Sequence, residues 1–284
     1  IAMKSDNISQ GDIVAENETL ALYPQLWKGL EFAWYPPLAP GGTIIRDFGP
    51  HKRHAYFING LAVGNWVRDE PYGACLDLSA GKAVGDGSLV DCAQWGAPGA
   101  AYDDVQSGQY VLNFKFCTVV GLQKPNDVTG NDNSIYGRVH DVDGGGDGGF
   151  NLNGNNNTAE GNRHGMFFRM NSNYTSSGGN ATGSTSGKWR SVGGRWSSDH
   201  KPEFWTNGVL REKRSSAATA SPGNNGNNSV HGFGAFRGAT GSRGCDGLLG
   251  PVLVWSRALD DDDFVRVQND IWAPLRHREY HQEI

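Results

Sequence analysis

Glycine and asparagine punctuate the whole chain, and only short apolar runs lie between the punctuation: Leu30–Tyr35, Ala55–Ile58, Tyr110–Val119, Ser134–Val139, Gly149–Leu152, Gly165–Met170, Lys188–Val192, Glu203–Trp205, Val230–Phe236 and Leu249–Trp255. Runs this short, rich in β-branched and aromatic residues and bounded by turn residues, read as strands, not helices. In the segment from Tyr110 to Cys117, Tyr110, Leu112, Phe114 and Phe116 alternate with Val111, Asn113 and Lys115, so one face is expected to be buried and the other wet. The 41 glycines among 284 residues, about twice the usual share, make the tight connections cheap, because glycine accepts positive φ. The expected class is all-β, and the length suits one large β domain with a substantial core.

Residues 1–28 are polar up to Leu20 and read as an N-terminal arm, ordered only if it lies on its own domain or on a neighbouring subunit. Residues 29–275 form the expected domain, and 276–284 a short tail. Asp141–Gly148 and Gly154–Asn157 read as turns. The polar tracts 171–187 and 217–228 read as exposed loops at a sheet rim, where function concentrates. One helix is expected near the end, where Leu259, Phe264, Val267 and Ile271 fall on one face. The four aspartates Asp260–Asp263 before it suit a helix cap and first turn better than a metal or catalytic cluster.

Charge and motif content exclude several functions. With 25 basic and 30 acidic residues spread along the chain, net −5, no positive stripe is present to track phosphates, so nucleic acid is not an expected partner. No apolar run approaches the roughly 20 residues that cross a bilayer, so membrane insertion is not expected, and residues 1–12 lack the apolar core of a signal peptide. Cys75, Cys92, Cys117 and Cys245 show no CxxC or Cys/His spacing. Buried free thiols are expected ahead of a Cys75–Cys92 bridge. Asn-x-Ser/Thr triplets at Asn7, Asn17, Asn156, Asn173, Asn180 and Asn227 are glycan acceptors only in a eukaryotic secretory setting.

Taken in order, the segments resemble a laminin-G-like domain of the concanavalin A-like superfamily, over about Gly29 to Leu275. Gly187–Trp196 is similar to the family's W-x-x-V-x-x-x-Y/W strand, and Lys201–Leu210 to its L-Y-V-N-G-V-L hairpin, whose Asn207-Gly208 pair is the favoured two-residue turn. Cys245–Leu259 resembles the closing strand, and Gly29–Trp34 with Ile45–Ala55 the opening strand and its following turn. Asp270–Arg276 is similar to a short segment found after such domains in structural proteins of tailed bacteriophages. The resemblance implies a two-sheet antiparallel jelly-roll sandwich with an extended N-terminal arm and a short C-terminal helix and tail. One departure stands out: Gly250-Pro251 occupies a position where many members carry an acidic residue. Proline cannot donate a ladder hydrogen bond, so an edge or bulged strand is expected there.

Catalysis is not expected. The jelly-roll superfamily includes glucanases with paired carboxylates on one strand, but no E-x-D-x-x-E pattern occurs, and Glu203 stands alone beside Phe204 and Trp205. No cofactor is required by any motif. Asp141, Asp143 and Asp147 are the candidate ligands for Ca2+, although an ordinary Asp/Gly turn explains them as well and Leu152 stands where an EF-hand needs glutamate. Asn171, Asn173, Tyr174 and Asn180 are the candidate ligand-binding residues, an aromatic ring and amides suited to a sugar. Trp34, Trp189, Trp196, Trp205 and Trp255 are expected in the core. The leading expectation is a non-enzymatic component of a virion surface, a capsid decoration or tail-associated protein held by other virion proteins and by its own copies, presenting the domain to host glycans. The alternative is a secreted or cell-surface carbohydrate-binding lectin.

Overall fold

The computed structural model describes residues 15, 17–58, 62–79, 92–95, 116–126, 134–140, 149–158, 161–170, 173–176, 187–199, 201–213, 229–234 and 245–278. Among them, sixteen strands form two eight-stranded sheets. The first runs β14 (Val209–Lys213), β13 (Glu203–Thr206), β12 (Arg190–Trp196), β7 (Cys117–Pro125), β16 (Gly247–Trp255), β5 (Gly73–Asp77) and β4 (Trp66–Asp69), with β1 (Leu30–Trp34) also paired to β16. The second runs β11 (Asn173–Ser176), β10 (Gly161–Met170), β9 (Gly149–Thr158), β8 (Ser134–His140), β15 (Ser229–Phe233), β6 (Cys92–Trp95), β3 (Ala55–Ile58) and β2 (Ile44–Ile45). Every pairing described is antiparallel. The chain is an all-β, two-sheet sandwich: the punctuation pattern implies the all-β class, and the family resemblance implies the two antiparallel sheets.

Strand alternation sends two sets of side chains to opposite faces of the first sheet. Phe32, Trp34, Leu76, Val119, Val192, Trp196, Phe204, Leu249, Val252 and Val254 meet Ile45, Ala55, Tyr136, Leu152 and Phe233 of the second sheet in one continuous core. Trp34, Tyr136 and Phe233 pack as an aromatic cluster, with ring centroids 5.7 to 6.2 Å apart. The opposite face, carrying Leu30, Ala33, Val120, Trp205, Leu253 and Trp255, is covered by a second apolar layer. That layer comes from the chain ends: Ala21, Leu26 and Trp27 from the arm, helix α1 (Asp261–Asn269), and Ile271, Ala273 and Leu275 beyond it.

The described part of the arm therefore lies on its own domain. Ala15 N–H donates to Leu275 O at 2.9 Å, Leu22 N–H to Arg276 O at 2.7 Å and Arg278 N–H to Leu20 O at 2.8 Å, so arm and tail pair side by side. Trp27 Nε1 donates to Pro274 O at 2.6 Å, and the Tyr35 hydroxyl to Ile271 O at 2.6 Å. Trp272 stacks on Tyr35 at 4.8 Å. The segment Asp270–Arg276 thus closes the apolar layer, with Ala273, Pro274 and Leu275 buried.

The closing strand is not at an edge. β16 sits centrally between β7 on one side and β5 and β1 on the other. Its pairing to β7 shifts between Leu249 and Val252, while on its other side β5 pairs at Leu248 and Leu249 and β1 takes over from Val252. Gly250-Pro251 falls in that gap, where no ladder donor is required, so the expected bulge is present and the expected edge is not. The Asn207-Gly208 turn joins β13 to β14 with φ of 50° and 72°, the double left-handed geometry that a two-residue hairpin demands. Two expectations shift. Gly154–Asn157 lies inside β9 and is not a turn, and 173–176 within the expected loop forms β11. The tip of the expected strand at 110–115 lies outside the described residues.

Candidate functional site

The residues singled out from sequence are spread over the molecule. Asn173 and Tyr174 belong to β11, the edge strand of the second sheet, in register with Met170 and Arg169 of β10. Asn171 and Asn180, and the candidate calcium ligands Asp141, Asp143 and Asp147, lie outside the described residues. Among the described residues no group of three or more His, Cys, Asp or Glu is placed to hold a metal ion.

The acidic residues that invite a catalytic reading have structural partners. Glu203, in β13 and 2% exposed, receives Arg195 Nε at 2.8 Å, Arg195 Nη2 at 2.6 Å and Trp205 Nε1 at 3.1 Å on Oε2, and Lys213 Nζ at 2.8 Å on Oε1. Arg195 also donates to Leu259 O at 2.8 Å and pairs with Asp261 at 2.6 Å. Its guanidinium lies 5.5 Å from the ring centres of Trp205 and Phe264. This network joins three adjacent strands to the start of α1. In the aspartate run, Asp260 Oδ1 accepts from Asp263 N–H at 2.8 Å, the cap expected from the sequence. Asp263 accepts from Gln25 and Arg266, tying the arm to the helix.

His51 and His54 sit in the turn after β2, which Asp47 organises. Asp47 Oδ1 accepts from Ala33 and Gly49 N–H, each at 2.8 Å, and Oδ2 from Arg53 N–H at 2.6 Å, while Asp47 N–H donates to His54 Nδ1 at 2.9 Å. Burial raises the Asp47 pKa against the pull of those three donors, and burial lowers that of His54. Cys75, Cys117 and Cys245 are buried and form no disulfide, and burial pushes Cys75 and Cys245 up to about 12.

A polar and aromatic cluster does remain accessible, on the part of the first sheet's outer face that carries Leu122 and Trp189. Trp34, Trp196 and Trp255 are fully buried and Trp205 is 7% exposed, as expected for core tryptophans. Trp189 differs: it precedes β12 and is only half-buried. A Cβ at Gly250 would lie a tight 3.2 Å from Leu122 Cβ and in ordinary contact, 3.5 Å, with the Trp189 ring, so the indole packs directly over Gly250. Trp189 Nε1 donates to Asp69 Oδ2 at 2.6 Å, and Lys124 Nζ contacts Asp69 Oδ1 at 2.9 Å and Oδ2 at 2.8 Å. The half-buried Tyr72 meets the indole edge-on at 5.2 Å and 66°. The hydrogen bond from Lys124 lowers the Asp69 pKa, and burial raises that of Tyr72. No local motif marks this site, because its members come from β4, the following turn, β7 and the lead-in to β12.

No family model and no curated protein matches the chain. Solved structures do match. Domain 4 of AbnA, a GH43 extracellular arabinanase from Geobacillus stearothermophilus, solved in complex with arabinotriose, aligns with a TM-score of 0.51 and 10% identity over 84% of this chain and 98% of that domain. A Trypanosoma rangeli sialidase in complex with 2,3-difluorosialic acid aligns with a TM-score of 0.54 and 14% identity over 86% of this chain but 33% of its own. The present chain thus spans a third of that sialidase and nearly all of the arabinanase domain. At these identities what is shared is the fold, a β-sandwich common to a domain of a glycan-cleaving enzyme and part of another.

Proposed function

We propose that this chain is a carbohydrate-binding β-sandwich module that works by recognition and not by catalysis. The observation that carries the reading is the match to nearly the whole of an arabinanase domain solved with arabinotriose. The engagement of both Glu203 oxygens by cations and an indole N–H favours the non-catalytic half of the reading. A glycan array probed with the intact chain tests it: retention by at least one oligosaccharide class is expected, with no release of reducing ends on prolonged incubation. Absence of retention across the array refutes the binding reading, and sustained hydrolysis refutes the non-catalytic one.

The finer reading places the module on a virion surface, attached to other virion proteins and its own copies, with host glycans as targets. Its support is the likeness of Asp270–Arg276 to a segment of tailed-phage structural proteins. Stoichiometric co-purification with particles is the expected result, and the alternative of a secreted or cell-surface lectin follows if the chain is found free of particles.

A further inference from the structure

We propose that the half-buried cluster of Asp69, Tyr72, Lys124 and Trp189 is a saccharide subsite, selective for a neutral sugar that presents a vicinal diol. The proposal rests on the carbohydrate-binding reading and adds the place and the ligand class. Three features lead to it.

The first is the hydrogen-bonding capacity left over. A carboxylate offers about four lone-pair positions. Asp69 uses three, two for Lys124 and one for Trp189. An ammonium carries three N–H donors, and Lys124 directs two of its contacts to Asp69. The Tyr72 hydroxyl has no hydrogen-bond partner among the described residues. One acceptor, one donor and one hydroxyl therefore remain beside a half-exposed indole. Adjacent sugar hydroxyls fit that set, one donating to Asp69 and its neighbour accepting from Lys124, while the C–H face of the sugar ring packs on aromatic carbon.

The second feature is charge. Asp69 and Lys124 neutralise one another at 2.8 Å, and the Arg68–Glu70 pair beside them is balanced too, at 3.6 Å. A uronate or other anionic sugar would gain little net attraction and would press its carboxylate towards Asp69. A neutral sugar meets no such opposition.

The third is preorganisation. The indole is held by its hydrogen bond to Asp69, by the edge contact with Tyr72 and by its packing over Gly250. It need not be ordered when ligand arrives, which removes one cost of binding. The other half-buried tryptophans among the described residues lack this combination: Trp66 packs on Phe57 with its N–H directed to Gly42 O, and Trp272 stacks on Tyr35.

The test is an array of neutral arabino-, galacto-, gluco- and manno-oligosaccharides printed beside uronic-acid oligosaccharides, followed by calorimetry on the strongest neutral hit. The intact chain, Trp189→Ala, Tyr72→Ala and Asp69→Asn are compared, each checked for native thermal unfolding. Trp189→Ala and Tyr72→Ala are each expected to weaken binding about tenfold, and Asp69→Asn to weaken it while leaving the apolar surface intact. Should Trp189→Ala fail to fold, Tyr72→Ala and Asp69→Asn decide. If the intact chain binds a neutral glycan and the folded variants bind within twofold of it, the site assignment falls while the carbohydrate-binding reading stands. Loss on Tyr174→Ala with Trp189→Ala silent has the same meaning and moves the site to β11. Binding confined to uronates overturns the neutral class, and no binding by the intact chain overturns both readings.

Discussion

Replacing Glu203 by glutamine separates a structural carboxylate from a catalytic one. Glu203 is 2% exposed and is the shared counter-ion of Arg195 and Lys213. The amide keeps the shape but removes the charge, and it turns one acceptor oxygen into an NH2 group that must face either a guanidinium or an ammonium. Arg195, with 10% of its side chain exposed, would retain Asp261 as counter-ion, but the Asp261 side chain is 73% exposed and screened by water. Breaking a buried ion pair from one side costs about 3–5 kcal/mol. Lys213 can fall back on Asp199 at 2.8 Å, so the lower end, about 3 kcal/mol, is expected. For a domain of this size that corresponds to a fall in Tm of roughly 6–12 °C. Urea denaturation followed by near-UV circular dichroism measures it. Because much of the cost is the stranded guanidinium, Arg195→Met combined with Glu203→Gln should lose less than the sum of the two single changes. A midpoint shift worth under about 1 kcal/mol for Glu203→Gln, or a gain in stability, would refute the assignment and return Glu203 to the list of candidate acids.

Four further outcomes are expected. Although burial opposes it, the hydrogen bonds from Lys213, Ser197 and the Lys201 N–H bring Asp199 down to about 2 from an ordinary 3.8, so its contribution is present above about pH 4 and is lost as pH falls towards 2. Asp199→Asn should flatten the acid limb of a stability profile over that window. Gly193→Ala would place a Cβ 2.0 Å from Gln268 Nε2 and 2.8 Å from the Phe264 ring, and Gln268 is anchored through Oε1 to Gly208 N–H; α1 must shift, at a cost of about 1–3 kcal/mol in a denaturation midpoint. Cys75, Cys117 and Cys245 should resist thiol reagents until the chain unfolds, since all three are buried and two are held near pKa 12. Trp27→Ala should cost about 3–5 kcal/mol, because Trp27 is 5% exposed and bonds Pro274 O; an unchanged midpoint would mean that the arm does not clasp the domain in solution.

Features set by neighbouring residues were legible before the structure. The Asn207-Gly208 turn and the Asp260 cap each depend on a handful of consecutive positions and appear as expected, while the expected face of α1 is met by Phe264 and Val267, with Leu259 and Ile271 buried in the same layer just outside the helix. The alternation of short apolar runs announced the all-β class in the same way. Features that depend on distant partners were not legible. Pro251 suggested an edge or a bulge, and only the tertiary structure shows which: a bulge in a central strand, tolerated because β5 and β1 change over beside it. Trp189 looked like another core tryptophan, and only its encounter with Asp69, 120 positions away, sets it apart.

By itself the sequence determined the class of the fold, the Asn207-Gly208 turn and the acid-capped helix, because backbone sterics, side-chain alternation and local capping act within a few residues. Tertiary structure decided that the chain ends cover part of the outer face of the first sheet, that Glu203 neutralises Arg195 and Lys213, and that an indole, a phenol, a carboxylate and an ammonium meet at one patch. Those outcomes turn on which surfaces meet after strands far apart in sequence have paired, and no local pattern records such a meeting.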